Sequence, residues 1–199
     1  SIEYLGLNGL FDNILTVLSL TELGIGPAII FSLYAPLANH DLETAKSIMR
    51  IFKKAYIYIG TLILFLGLCI SPFVQHLIKV PPNIAYLNIF FLLFVIDTGI
   101  SYFYSYKKCL LIADQKQYIA NYYRGITQLI GSLFQIALVI LTHSFWVYII
   151  LRICMTFCEN FLIARKANRL YSFLNEKNIR PLNKDIYQSI IRNIKALIL

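Results

Sequence analysis

Charge is what this sequence has least of. Only 14% of its 199 residues are Asp, Glu, Lys or Arg, against 58% that are hydrophobic, and the mean hydropathy is +0.67. A soluble fold of this length cannot hide so much apolar surface, so lipid is left as the solvent. Histidine is scarce too: His40, His76 and His143 fall in different loops or helix ends, so no His cluster is available for catalysis. The four cysteines, Cys69, Cys109, Cys154 and Cys158, lack the His company of a zinc site, and core packing accounts for them better; no metal and no cofactor is expected. Acidic residues number 10 against 18 basic ones, a formal charge of +8 that in a soluble chain would suggest nucleic acid. Here Lys and Arg are confined to blocks between long apolar runs. That is the pattern of a membrane orientation signal, and no nucleic-acid partner is expected.

The chain also lacks a basic leader and an initiator Met, starting at Ser1, Ile2, Glu3 and Tyr4, and it stops inside an apolar run, Ala196 to Leu199. It is therefore expected to be a piece of a longer protein, short of a helix upstream and starting another downstream. Five stretches are long and apolar enough to span a membrane: residues 5–38 (span A), 55–78 (B), 84–106 (C), 121–141 (D) and 145–164 (E). The fold class is all-α, a polytopic helix bundle over residues 1–170, with residues 171–199 an amphipathic linker. Span A is too long for one straight crossing and contains Gly24, Gly26 and Pro27, where a kink or break is expected.

All but two of the 18 basic residues fall after A, between C and D with the start of D, or after E. The exceptions are Lys79, in the B to C loop, and Arg152, inside span E. Because Lys and Arg are retained on the cytoplasmic side, Lys46, Lys107 and Arg165 should be cytoplasmic, Lys79 and His143 external, and the N-terminus outside. Tyr56, Tyr58 and Tyr102 to Tyr106 then sit at inner ends, and Phe145, Trp146 and Tyr148 at an outer one. Two stretches beyond the spans read as amphipathic helices lying on the inner membrane surface. In one, Leu42, Ala45, Met49 and Phe52 oppose Lys46, Arg50 and Lys53 after an Asp41 N-cap; in the other, Ile186, Ile190, Ile194 and Leu197 oppose Lys184, Arg192 and Lys195.

Polar residues inside lipid are costly, so their placement is informative. Asn8, Asp12, Thr16, Ser19 and Glu22 share an arc of about 120° on span A. Span D repeats the stripe with Asn121, Arg124, Gln128, Ser132 and Gln135; span C carries Asp97, Ser101 and Ser105, and span E carries Arg152, Thr156 and Glu159. Span B has almost none and is expected to be peripheral and lipid-facing, although Gly60 and Gly67 share a face. By helical rise, Asp12 and Arg152 lie roughly 10 Å below their outer ends, and Asp97 and Glu159 roughly 20 Å, which makes Asp12 and Arg152 a candidate pair. Asp12, Glu22, Asp97, Arg124, Gln128, Gln135, Arg152 and Glu159 are the candidate lining of a substrate or ion cavity, and Thr16, Ser19, Ser101, Ser105 and Thr156 read as interhelical hydrogen bonds.

Three stretches, TELGIGPAIIFSLYAPLANHD from Thr21 to Asp41, SYKKCLLIADQKQY from Ser105 to Tyr118 and RNIKALI from Arg192 to Ile198, carry a likeness to a known family. The chain resembles bacterial polysaccharide flippases, members of the multidrug, oligosaccharidyl-lipid and polysaccharide exporter superfamily. The resemblance implies helices two to six of the first of two six-helix lobes. It also implies a multi-pass protein of the cytoplasmic membrane that moves lipid-linked oligosaccharide by alternating access. Partners implied are that substrate, membrane lipids, a polysaccharide polymerase and glycosyltransferases. A cavity for a lipid diphosphate should be cationic, whereas these spans supply Asp12, Glu22, Asp97 and Glu159 against Arg152 and Arg124. A drug or ion exporter of the same superfamily is the nearest alternative. A membrane-embedded glycosyl or acyl transferase would need clustered acids or His near one surface. The loops offer only scattered Asp41, Glu43, Asp114, Glu176 and Asp185, so no enzyme is expected.

Overall fold

The computed structural model describes residues 2–22, 24–77, 86–176 and 184–198. Expectations for Ile78, Lys79, Ile84, Lys177 and Arg180, and for the side chains of Lys184, Asp185, Ile194, Lys195 and Leu197, lie outside the described residues. Among the described residues every regular element is helical: α1 (Ile2–Ser19), α2 (Ile25–Ala38), α3 (Leu42–Ile70), α4 (Leu87–Ala113), α5 (Gln117–Thr142), α6 (Phe145–Leu170) and α7 (Lys184–Ile198), with 3-10 turns at Leu20–Glu22, Ser71–Leu77 and Ser172–Asn175. Among the described residues, four helical segments are long and apolar enough to cross a membrane: Leu42–His76, α4, α5 and α6. The chain is a multi-pass membrane helix bundle. The stretch expected as span A is divided between α1 and α2.

Nothing resembling a breaker separates Leu42 from Ile70. The amphipathic stretch and span B therefore fuse into one helix of 29 residues, about 43 Å long at 1.5 Å per residue. This corrects the expectation of a separate surface helix. Its start is fixed by Asp41, whose carboxylate accepts the Thr44 backbone N–H at 3.0 Å, an N-cap worth about 1 kcal/mol. Hydrogen bonds from Thr44 hold the Asp41 carboxyl below its usual range. Lys46, expected on the solvated face, is only 4% exposed, because its ammonium is held by Glu176 at 2.7 Å and Glu43 at 3.2 Å.

Span B is also less peripheral than its lack of polar residues implied. A Cβ at Gly67 would overlap the Val95 side chain, and one at Gly99 would come within 2.7 Å of Leu64. Glycines on both helices thus let α3 and α4 approach closely, the mode of packing that works between helices in lipid, where hydrophobic burial supplies no drive. The basic α7 packs against α2, with Ile190 only 2% exposed and Ile186 against the same apolar cluster.

The apolar interior forms two clusters. One joins Leu7, Phe11, Leu15 and Leu18 of α1 to Phe90, Phe91 and Phe94 of α4 and Ile149 of α6, with Phe11 edge-on to Phe91 and Phe94 at 5.4 and 5.3 Å. The other joins Ile29 and Leu33 of α2 to Ile48, Met49, Phe52 and Ile63 of α3, Leu110 of α4 and Ile163 of α6. Helix α3 passes directly from one cluster to the other, between Ile63 and Leu64, whereas α4, α6 and the α1 to α2 connection pass through polar residues. On α4 these lie between Val95 and Tyr102, on α6 between Ile149 and Ile163, and on the α1 to α2 connection between Leu18 and Ile29.

Candidate functional site

Arg152 is the centre of the polar layer. Its Nε donates to Asp97 Oδ2 at 3.0 Å, its Nη2 to Asp12 Oδ1 at 2.8 Å, and its Nη1 to Asn8 Oδ1 at 3.1 Å and more weakly to Asp12 Oδ2 at 3.5 Å. The guanidinium also stacks over Phe94, 4.4 Å from the ring centroid. Three helices are thereby joined by one cation whose planar fork matches the two carboxylates. Asn8 turns its amide to donate to Tyr148 Oη at 3.2 Å, and Gln135 of α5 donates to the Tyr148 carbonyl at 3.2 Å. All four of α1, α4, α5 and α6 therefore contribute.

The pairing of Asp12 with Arg152 is the one suggested by their depths. Asp97 joins them although it was placed deeper. Helix α4 begins at Leu87, so Asp97 lies roughly 15 Å below its start instead of 20 Å, and the long arginine side chain covers the remainder. The charges do not balance, since two acids face one base. Asp97 is 6% exposed, and its Oδ1 is buried without a hydrogen-bond partner among the described residues. Asp12 is 45% exposed and can be hydrated.

Beside this cluster, α5 and α6 flank an open groove of about 250 Å³. Gln128, Gln135, Arg152 and Glu159 all line it, together with Thr127, Ser132 and Thr156. A Cβ at Gly131 would come within 2.8 Å of Met155, so Gly131 lets the two helices close at the groove floor. The lining offers amide, hydroxyl, guanidinium and carboxylate groups, which suits a solute rich in hydroxyls. Its volume is just below the ~300–1,000 Å³ usual for drug-sized ligands. Arg124, proposed for the same cavity, stands exposed one turn before Gln128 and lines no part of this groove. Its position at the start of α5 carries it past the groove's end.

The remaining candidates meet at a second place. Helix α1 ends at Ser19, whose hydroxyl donates back to the Leu15 carbonyl at 2.8 Å, and a 3-10 turn leads to Gly24 at φ 83°, a left-handed conformation that glycine adopts without strain. Helix α2 starts at the next residue. Pro27 thus lies in the first turn of α2, where a missing N–H is tolerated, and the break is carried by Gly24. Glu22 is satisfied by the Tyr56 hydroxyl, which donates at 2.6 Å and also sits 3.7 Å from Cys109 Sγ. Gly26 is buried against that hydroxyl: a Cβ there would lie 3.2 Å from it. The sequence marks Tyr56 only as an interfacial aromatic. Its role depends on a break folding back onto α3, which periodicity does not reveal.

Ser101, Ser105 and Thr16 bond to carbonyls of their own helices, at 2.7, 2.9 and 2.7 Å, instead of bridging helices as expected. Among the described residues, His, Cys, Asp and Glu nowhere form a group of three fit to hold a metal. Compared with known proteins, the chain matches no protein-family model, no curated protein and no solved structure.

Proposed function

We propose that this chain is part of a transporter that moves lipid-linked oligosaccharide units across a bacterial cytoplasmic membrane during cell-surface polysaccharide synthesis. The observation that carries the reading is the Arg152, Asp97 and Asp12 cluster opening onto a polar groove between α5 and α6. Polar residues needed only to hold helices together would be buried in pairs, whereas here a charged layer adjoins a hydroxyl- and amide-lined opening. The likeness of residues 21–41, 105–118 and 192–198 to polysaccharide flippases supports the substrate class. In this reading Gln128, Gln135 and Glu159 hydrogen-bond the sugar, and Arg152 sets the electrostatics beside it. The broken α1 to α2 connection provides the flexible element that alternating access requires. Lys46, Lys107 and Arg165 face the cytoplasm, and His143 faces outside. The polymerase and glycosyltransferases of the same assembly line are its partners.

The test is polysaccharide export by cells that depend on the full-length protein. The paired Arg152→Gln and Asp97→Asn variant removes both charges without leaving either buried alone, so it should accumulate in the membrane normally and fail to export. Normal export by that variant would reduce the cluster to structural glue and end the proposal. Unaltered export combined with lost efflux of cationic dyes would favour a drug exporter instead. Labelling single cysteines placed at the exposed Arg165 and His143 with an impermeant reagent checks the orientation: only the second should react from outside.

A further inference from the structure

At the basic end of the bundle a second groove, of about 450 Å³, lies between the first half of α3 and the 3-10 turn after α6. Its floor is apolar, made of Met49, Tyr106 and Phe173, each buried. Its rim is cationic: Arg50, Lys53 and Lys54 line it and are exposed. Lys107, half-buried on α4, lies close enough to Lys53 for their charges to repel. Glu176, which also lines the groove, is turned onto Lys46 at 2.7 Å. No ion pair among the described residues neutralises Arg50, Lys53, Lys54 or Lys107. Like charges gathered over an apolar floor repel one another unless an anion joins them.

The face of α3 that carries these cations does not stop at the groove. Arg50, Lys53, Lys54, Ile57, Thr61, Phe65 and Leu68 all fall within an arc of about 120°. Ile57, Phe65 and Leu68 are 42%, 61% and 59% exposed. From Ile57 to Leu68 this apolar strip is roughly 16 Å long, close to half of a ~30 Å hydrocarbon core. A cationic head site followed by one leaflet's depth of exposed apolar surface has the dimensions of a single phospholipid.

We infer that this face of α3 and its groove form a binding site for one anionic phospholipid. The headgroup phosphate lies among Arg50, Lys53 and Lys54, and an acyl chain runs along Ile57, Phe65 and Leu68. A free phosphate would use the head site but leave the apolar strip uncovered, and a zwitterionic lipid would bring its own ammonium among the cations. The site is separate from the cluster at Arg152 and does not depend on the transport reading.

Native mass spectrometry of the full chain in an uncharged detergent tests it, after incubation with dioleoyl phosphatidylglycerol or dioleoyl phosphatidylcholine. One phosphatidylglycerol should be retained per chain and phosphatidylcholine should not. An Arg50→Gln, Lys53→Gln and Lys54→Gln variant, whose changes are all on exposed side chains, should bind phosphatidylglycerol about one hundred-fold more weakly, each cation contributing about fivefold. A control with Arg165→Gln and Arg169→Gln should bind as the parent does. Equal retention of both lipids, or an equal loss in the control, would overturn the site in favour of general adhesion. Displacement of the lipid by inorganic phosphate at matching concentration would overturn it in favour of a bare anion site. Circular dichroism of the triple variant should show the parent's helix content, and an Ile57→Asn and Phe65→Asn variant, which keeps every cation, should also lose the lipid. Retention by that variant would refute the acyl-chain half of the inference.

Discussion

Arg152→Gln should be among the most destabilising single changes in this chain, and its cost should depend on which acid is left behind. Asp97 is 6% exposed and already carries one unpartnered oxygen, so losing Arg152 strands a buried charge with both oxygens unsatisfied. Breaking such a pair typically costs about 3–5 kcal/mol. Asp12, 45% exposed, can turn to water, so Asp12→Asn should cost less than about 1 kcal/mol. Combining Arg152→Gln with Asp97→Asn removes the stranded charge together with the base, and the pair should cost about 1–2 kcal/mol, well below the single arginine change. Unfolding in mixed micelles with increasing SDS gives these three values, and that of Asp97→Asn alone, under one set of conditions. The reasoning is refuted if Asp12→Asn costs as much as Arg152→Gln, or if the double change equals the sum of the two singles.

Gly67→Ala should cost about 1–3 kcal/mol, because its new methyl overlaps Val95, whereas Gly9→Ala, with nothing within 4 Å, should be neutral or stabilising by about 0.5–1 kcal/mol; SDS unfolding midpoints compare the two. Gly24→Ala should destabilise by about 1–2 kcal/mol through its left-handed backbone, while Pro27→Ala, exposed in the first turn of α2, should stay within about 0.5 kcal/mol by the same measurement. At the α4 to α5 turn Asp114 accepts from Lys116 and from Tyr171, both at 2.6 Å. Burial opposes its charge, but these two bonds outweigh that and hold the carboxyl below its ordinary range. Its stabilising effect is therefore present above the unfolded-state pKa and is lost as pH falls through the depressed folded value. Tyr171→Phe should cost about 1.5–3 kcal/mol at pH 7 and less at pH 3, read from unfolding midpoints at the two pH values.

The helical type of the fold was legible because long apolar runs admit few arrangements in lipid, where every backbone group must be satisfied within its own segment, but span A divides in two and the first amphipathic stretch joins span B. The polar faces were legible for the same reason: a carboxylate in hydrocarbon has few places to go, and Asp12 and Arg152 at similar depth on different helices had reason to meet. Asp97 was misplaced because depth was counted from a helix start three residues too early, and a few ångströms separate a partner from a bystander. Arg124 shared a stripe with Gln128, but a stripe records direction around the axis and not where along it the groove ends. Tyr56 was hidden altogether. Its hydroxyl becomes meaningful only when Gly24 turns the chain so that Glu22 returns to α3, a three-body contact with no periodic signature. Pro27 looked like the breaker because proline disrupts helix interiors, yet one residue's shift in where a helix starts makes it an ordinary first-turn residue.

The division of the interior into two apolar clusters has a mechanical consequence. Close-packed apolar side chains resist small displacements, because sliding one past another opens voids along the whole contact. Hydrogen bonds beside an open groove yield more readily, since water can stand in for a departing partner at little cost. The polar stretches of α4 and α6 around Asp97 and Arg152 are therefore more compliant than the apolar packing on either side, while α3, apolar from Ile63 to Leu64, ties the two clusters together. A strain that bends α4 or α6 is taken up first in those polar stretches, much as a bolted frame bends at its joint and not along its members.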